Sequence, residues 1–334
     1  MRISAVLVAF HHGDSLPALV RSLRSGSRPV DEVVVVDNAP EHDSLAALAH
    51  EAVNVRGIAS RENRGFAGGS NDGADAATGD VLLFVNPDAR VDRRCVEELL
   101  AALERRPDVA IAGAQIVLAD GVTTNAGENP VHPTCLAWAG RLGRPAENGV
   151  ERLVLAISGA GFAVRRSTWE DLGGFRDAFF LYCEDTDLCL RAGILGSDVL
   201  FVPTARVIHD YAFGKPAKWR HLERNRLSIA LTLYRGRTLL VLAPVLVAAE
   251  AAILVYAVNG GFAREKLAAY GDLLRARPRL RRERALIQAR RVRDDRWLLH
   301  RMRWTIDSPV LAGPLTRLSA PALRAYGALA RRLV

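Results

Sequence analysis

Three uninterrupted apolar runs restrict what the first half of this chain can become: "ISAVLVAF" (3–10), "EVVVVD" (32–37) and "DVLLFV" (80–85). A strand with one wet face alternates polar and apolar residues. These runs do not, so each is expected in a sheet covered on both faces. Between the first two, Leu16, Leu19, Val20 and Leu23 recur at helical spacing within Ser15 to Ser25. A shorter strand, "VNVRGIA" (53–59), a glycine-rich segment, "NRGFAGGSNDGADAA" (63–77), and a helix near Arg93–Glu104 continue the alternation. Repeated strand–helix order predicts an α/β fold with a Rossmann-like, mostly parallel central sheet and helices on both faces. Ligands of such sheets bind beyond the C-terminal ends of the strands. The informative residues should therefore follow the runs, at Phe10–His12, Asp37–Asn38, Arg61–Arg64 and Asn86–Asp88.

The pattern weakens over residues 114–150, where "DGVTTNAGENPVHPTC" is dense in turn formers and reads as a loop over a site. It recovers at "VLAISGAGFAVRR" (154–166), a strand, a glycine turn and a second strand. Ser167, with Glu170 three residues on, is placed as the cap of a short helix. "EDTDLCLRAGIL" (184–195) opens a helix on acidic residues, and "SDVLFVP" (197–203) and "ARVIHD" (205–210) read as two strands. Beyond Lys215 only helical patterns remain.

Charge divides the chain at about the same place. Residues 1–214 hold 20 Lys+Arg against 29 Asp+Glu, whereas residues 215–334 hold 25 against 8. The expected organisation is a catalytic domain over 1–214 and a basic, partly apolar helical extension over 215–334. Such a tail either seeks an anionic partner or is a solvated arginine-rich surface. Within it, "LLVLAPVLVAAEAAILVYAV" (239–258) is broken only by Pro244 and Glu250. Its length approaches the roughly 20 residues of a bilayer span, but a charge near the centre costs roughly 2.5–3.5 kcal/mol. A buried or interfacial hairpin is preferred over a span or a core helix, and the cationic flanks suit the anionic inner face of a membrane. Few aromatics interleave the tail arginines, which argues against single-stranded nucleic acid. The four cysteines, Cys95, Cys135, Cys183 and Cys189, form no CxxC pair. That spacing excludes the common zinc sites and fits a reducing compartment. "MRISAVLVAF" reads as a first strand and not as a signal peptide. The expected location is cytoplasmic, peripheral at the inner face of the plasma membrane.

Several residues after the strands have chemistry to offer. "LLFVNPDAR" (82–90) ends a strand on Asn86, Pro87 and Asp88; the carboxylate suits a hard cation such as Mg2+ or Mn2+ bridging to a diphosphate, and Asn-Pro-Asp is equally a turn sequence. Glu184, Asp185 and Asp187 crowd one helix start. Mutual repulsion raises a pKa there and poises a base, while acidic residues are also ordinary at a helix N-terminus. Asp37 and Asn38 suit a nucleotide base or ribose, or a turn. The glycines at 65, 68, 69 and 73, with Asn63, Arg64 and Asn71, suit a phosphate. The chain has neither GxGxxG after its first strand nor GxxxxGK[ST], which disfavours dinucleotide and P-loop readings.

The ordered set "VVVVDNAP", "ENRGFAGGSNDG", "LLFVNPDA", "SGAGFAVRRSTWEDLGGFRDAFFLYCEDTDLCLRAG" and "VLFVPTARVIHDY" resembles inverting glycosyltransferases of family 2, with the GT-A fold, over roughly residues 1–212. "ERNR" (223–226) and the later apolar segment resemble the tail of rhamnosyltransferase-type members. The resemblance implies transfer of a sugar, L-rhamnose from dTDP-rhamnose, to a lipid-linked or cell-wall glycan acceptor. It implies Asp185 as general base with Glu184 beside it, and Phe10, Asp37, Asn38, Asn63, Gly65, Asn86 and Asp88 at the donor nucleotide-sugar; Arg64 is added to the donor residues as a phosphate contact on its position alone. It further implies Gly159, Gly161 and Glu184 at the acceptor, and Asp88 with His209 at a divalent metal. Asn86 departs from the family's DxD pattern, so the metal has one charged ligand fewer. A UDP-hexose donor and a catalytically inactive membrane-binding module are the alternatives.

Overall fold

The computed structural model describes residues 1–334 apart from 13–14, 40–43, 52–53, 211–217 and 312. The chain divides into two compact units. The first comprises Met1–Asn129, Ala139–Ala192 and Ser197–Ala212. Its elements in order are β1 (Ile3–Ala9), α1 (Leu16–Ser25), β2 (Glu32–Asp37), β3 (Val55–Ala59), α2 (Gly65–Ala76), β4 (Val81–Val85), β5 (Arg90–Val91), α3 (Cys95–Arg105), β6 (Val109–Val117), β7 (Thr124–Ala126), β8 (Arg152–Val154), β9 (Gly161–Arg165), α4 (Arg166–Leu172), α5 (Glu184–Ile194) and β10 (Asp198–Ile208). One sheet runs in the order β3-β2-β1-β4-β9-β6-β10-β5, with β7 added to β6 and β8 to β10.

The three apolar runs are buried over Ile3–Ala9, 33–37 and Val81–Val85, as their lack of alternation requires. Strands β3, β2, β1 and β4 are mutually parallel. Their order doubles back at β1: β2 and β3 lie on one side and β4 on the other. A crevice opens beyond the C-terminal ends of strands at such a reversal, which here means Phe10–His12 and Asn86–Asp88. Strand β9 then inserts antiparallel between β4 and β6. It faces Val85 with Gly161, so the turn before β9 lies beside the Asn86–Asp88 turn. Phe84 is fixed there by stacking on Phe162 at 5.0 Å and Trp169 at 4.6 Å; such pairs contribute roughly 0.5–1.5 kcal/mol beyond burial.

Three expectations need correction. The glycine-rich segment is helix α2, and its glycines serve close packing against the sheet: a Cβ on Gly73 would sit 2.5 Å from Val6 Cγ1. The strands expected at 197–203 and 205–210 are one strand, β10, with a register shift between Val202 and Arg206. Ser167 lies inside α4, whose N-cap is Arg165. Strand β3 begins at Val55; the first residue of the expected strand, Val53, lies outside the described residues, as do 215–217 of the basic flank.

Residues 114–150 are wired in place of a bare loop. Asp120 accepts from the backbone N–H groups of Val122 and Thr123, and Gln115 bonds the carbonyls of Glu147 and Pro203. Glu128 bridges to Ile157.

The second unit comprises Pro130–Trp138, Gly193–Gly196 and Phe213–Val334. It holds α6 (Lys218–Leu233), α7 (Gly236–Asn259), α8 (Ala263–Arg275), α9 (Arg277–Arg290), α10 (Asp295–Arg301) and α11 (Pro314–Leu333), with no strand among its described helical residues 218–333. Helix α6 packs on α8 and α9. Its centre is ionic: Arg226 pairs with Glu223 and Glu250, and Lys266 with the same two carboxylates. Arg226 also reaches the Thr134 carbonyl at 3.0 Å, and the Tyr234 hydroxyl donates to the Pro133 carbonyl at 2.8 Å. Those bonds hold the 130–138 segment within this unit.

Candidate active site

Asp88 follows β4 directly and is partly exposed. Its Oδ1 lies 3.0 Å from Nε2 of buried His209, the residue after β10. The sheet makes this pairing: β5, two residues past Asp88, runs antiparallel to β10 with Arg90 opposite Ile208. Asn125 Nδ2 donates to the His209 carbonyl at 2.8 Å and the His209 N–H bonds Val117, fixing the backbone that carries the imidazole. Partial burial works to raise the Asp88 pKa, but the hydrogen bond from His209 and its charge outweigh it, so the carboxyl lies below its usual range. The Asn86–Asp88 turn is braced by Ser15, whose hydroxyl donates to the Pro87 carbonyl at 2.9 Å.

One carboxylate oxygen and one imidazole nitrogen face each other, and no group of three His, Cys, Asp or Glu gathers at one point among the described residues. This donor pair suits a divalent cation that takes its remaining ligands from diphosphate and water. It does not suit a closed four-ligand zinc site.

Asp185 sits in the first turn of α5. Gly159, in the turn before β9, donates its N–H to Oδ2 at 2.8 Å, and the Thr186 N–H donates to Oδ1 at 2.5 Å. A Cβ on Gly159 would stand 3.3 Å from that carboxylate, so the backbone approaches closely because the side chain is absent. Glu184 is buried, and its Oε2 has no partner among the described residues. Burial first and the Asp185 charge second push the Glu184 pKa well above the usual carboxylate range. Burial also raises Asp185, against the pull of the Gly159 and Thr186 hydrogen bonds. The pair thus favours one proton held on Glu184, leaving Asp185 as the ionised, oriented member. Asp187, the third acid of the cluster, plays a different part. It is fully buried and ion-paired to Arg176 at 3.0 Å and Arg191 at 2.7 Å.

The two carboxylate centres are joined through the sheet. The Asn86 N–H bonds the Ala160 carbonyl at 3.2 Å, one residue from Gly159. The Asp88 turn and the peptide that orients Asp185 are therefore neighbours across β4 and β9. Gly161 opens β9 itself, where a Cβ would meet Val207 at 2.7 Å.

The expected donor residues divide into groups. Phe10 is exposed at the end of β1, beside His11. Asp37 is buried with both oxygens engaged by its own loop, accepting from Ala39 and Ser44 N–H groups at 3.0 Å. Asn38 bonds the Gly65 carbonyl at 2.8 Å through Nδ2 and leaves Oδ1 buried without a partner among the described residues. Asn63 accepts the Gly65 N–H at 2.9 Å. Gly65 has φ +68°, and a Cβ there would strike the Phe180 carbonyl, to which the Ala67 N–H donates at 3.1 Å. Arg64 is an unforeseen clamp: its guanidinium pairs with Asp72 and, at 2.7 Å, with Asp177.

Sequence reasoning named Asn71 and His12 but not their partners: Asn71 holds the Phe175 N–H at 3.0 Å, and His12 responds electrostatically to both Asp88 and His209. It also missed the strain before the acidic pair, where Phe180, Tyr182 and Cys183 have φ of 62°, 69° and 64°. Non-glycine residues at positive φ cluster at functional sites. The only available signal was position, since each lies in or beside one of the motifs.

With this geometry in hand, comparison with known proteins decides the family: the family model of glycosyl transferase family 2 matches residues 4–173. The chain belongs to glycosyl transferase family 2. Similar family 2 and related proteins include N-acetylglucosaminyl-diphospho-decaprenol L-rhamnosyltransferase of Mycobacterium tuberculosis, 26% identical over 238 residues, covering 63% of this chain and 76% of the relative. Rhamnosyltransferase WbbL of Escherichia coli K12 is 36% identical over 83 residues, 21% of this chain and 31% of its own. Among solved structures, GalNAc-T7 with UDP, GalNAc and Mn2+ superposes with a TM-score of 0.58 at 16% identity, over 73% of this chain and 50% of the other. The mannosyltransferase PcManGT from Pyrobaculum calidifontis, with GDP-Man and Mn2+, does so with 0.52 at 16% identity, over 99% and 86%. The fold of this family 2 chain is GT-A, as its motifs predicted: a mixed, mostly parallel sheet with helices on both sides and further helices at the C-terminus.

Proposed function

We propose that the chain is an inverting transferase that moves L-rhamnose from dTDP-rhamnose to a hydroxyl of a lipid-linked or cell-wall polysaccharide acceptor, at the inner face of the plasma membrane. The observation that carries the reading is the convergence of two carboxylates across adjacent strands. Asp88 pairs with His209 beyond β4, and Asp185 is aimed by the Gly159 N–H beside it.

The roles follow from chemistry. The acceptor oxygen attacks the anomeric carbon as the bond from that carbon to the diphosphate oxygen breaks, and the bonding pair leaves with the diphosphate. The acceptor proton goes to Asp185, whose raised pKa favours accepting it. Glu184, kept protonated by burial, offers an O–H donor to the acceptor side. Displacement in line inverts the anomeric centre without a protein nucleophile. Asp88 and His209 would hold Mg2+ or Mn2+, which when bound offsets the charge growing on the diphosphate. In this reading exposed Phe10 and the buried Oδ1 of Asn38, which has no partner among the described residues, serve the nucleotide. The sugar rests on likeness to the rhamnosyltransferase relatives.

The test is donor turnover by the purified chain with membrane lipid extract as acceptor. dTDP-rhamnose should be consumed in preference to UDP-hexoses, and Asp88→Ala and Asp185→Asn should each abolish consumption. Preference for a UDP-hexose moves the chain to a hexosyltransferase of the same family. Wild-type rates in either variant remove the residue assignments.

A further inference from the structure

Helix α7 is built inside out. Leu240, Pro244, Val247, Ala251, Val255 and Val258 are exposed and follow one another at intervals of three and four, so they form one stripe along the helix. Leu240 is 78% exposed, Val247 69% and Val258 62%. A helix facing water puts polar residues on that side. Here the only acid of α7 turns inward: Lys266 Nζ and Tyr270 Oη each reach Glu250 Oε2 at 2.6 Å, and Arg226 takes Oε1. Helix α11 repeats the pattern. Leu318, Ala322, Ala325 and Leu329 are exposed at the same intervals. Arg317, Arg324 and Arg331 recur every seven residues along one flank, and residues 314–334 contain no acid. The two helices touch, the Tyr326 hydroxyl donating to the Val241 carbonyl.

We propose that these two stripes are a bilayer-docking surface. Helices α7 and α11 lie in the plane of an anionic leaflet, with apolar side chains at the acyl boundary and Arg317, Arg324 and Arg331 at the headgroup phosphates. The arginine row selects the occupant: an apolar face edged by cations and free of acids matches an anionic lipid surface. The clamp on Glu250 selects the orientation. At about 36 Å, α7 is long enough to cross a membrane, and its composition permits it. Crossing would carry Glu250 into hydrocarbon or strip it from Arg226 and Lys266, which are themselves buried. Lying in plane leaves the clamp intact. The inference deepens the membrane side of the proposed function and is independent of which sugar is moved.

The test is co-flotation of the full chain with phosphatidylcholine vesicles, with and without phosphatidylglycerol. The wild type should float with the anionic vesicles and be released by alkaline carbonate. Joint Val247→Asp and Val255→Asp substitution should reduce the bound fraction at least about tenfold, and the milder Val247→Ser with Val255→Ser should give an intermediate loss. Each of Arg317→Gln and Arg324→Gln should weaken binding about fivefold, from roughly 1 kcal/mol per basic residue, on anionic vesicles alone. Donor hydrolysis unchanged in these variants shows that they fold. Failure to float, retention against alkali, or a stable dimer in light scattering that Val247→Asp dissolves would each overturn the proposal. Vesicle binding without donor turnover supports docking while removing the proposed reaction.

Discussion

At the scale of single residues, the site works by giving adjacent acids different surroundings. Asp185 receives two backbone N–H groups, whereas Glu184 is buried with an oxygen unpartnered among the described residues. Asp185→Asn should keep donor affinity and lower kcat by about 10²- to 10⁴-fold, read from steady-state kinetics. Glu184 makes a stability prediction of definite sign. Its folded pKa is raised, so its contribution is fully present below the unfolded carboxylate pKa and is lost as pH rises toward the folded value. Glu184→Gln should therefore gain melting temperature on the wild type as pH rises above the usual carboxylate range; a pH-independent gap would show that the carboxyl is not held neutral. Arg64 separates two roles kinetically. Bracing the segment before α5, it should lower kcat when changed to alanine, with little effect on donor KM, whereas a phosphate contact would raise KM.

At the scale of elements, legibility followed burial. Strands β1, β2 and β4 could be read because both faces are covered, which removes alternation and leaves a continuous apolar run. Helix α2 could not, since glycine is among the poorest helix formers; Gly69 and Gly73 are tolerated because the helix presses against β1 and β2 at those positions. Strand β10 read as two strands because Pro203 and Thr204 sit at its register shift. The acids Asp88 and Asp185 were visible as residues following or opening an element. Their partners had no local pattern and entered only through the family resemblance, because the His209–Asp88 pair requires β5 on β10 and the Gly159–Asp185 bond requires β9 on β4. Register across more than a hundred residues has no local signature. The packing of α2 is testable: Gly73→Ala overfills the contact with Val6 and should cost about 1–3 kcal/mol, measured by urea denaturation. Gly65→Ala adds a left-handed penalty of roughly 1–2 kcal/mol to its collision with Phe180, and should lower kcat as well because it displaces the segment leading to Glu184.

At the scale of the whole molecule, acid acts on two buried acids, Glu184 and Glu250, with opposite sign. In the first unit, protonation suits buried Glu184. In the second, Glu250 lies at the centre of the ionic cluster: burial alone would raise its pKa, and Arg226, Lys266 and Tyr270 draw it down to about 2. A depressed carboxyl lends stability above its unfolded pKa and loses it as pH falls toward the folded value. Between the usual carboxylate range and about pH 2, the second unit should therefore loosen progressively. Glu223, also lowered against its burial by Arg226 and Lys266, adds in the same direction. Hydrogen exchange resolves the units separately: amides of α6 and α8 should lose protection on acidification while those of β1 and β2 hold theirs. Glu250→Gln leaves Arg226 and Lys266 short of a counter-charge, so it should cost about 3–5 kcal/mol at neutral pH and flatten the acid dependence of α6. Unchanged acid dependence in that variant would move the titrating group elsewhere. It would also remove the reason for α7 to keep Glu250 inward and its apolar stripe toward a membrane.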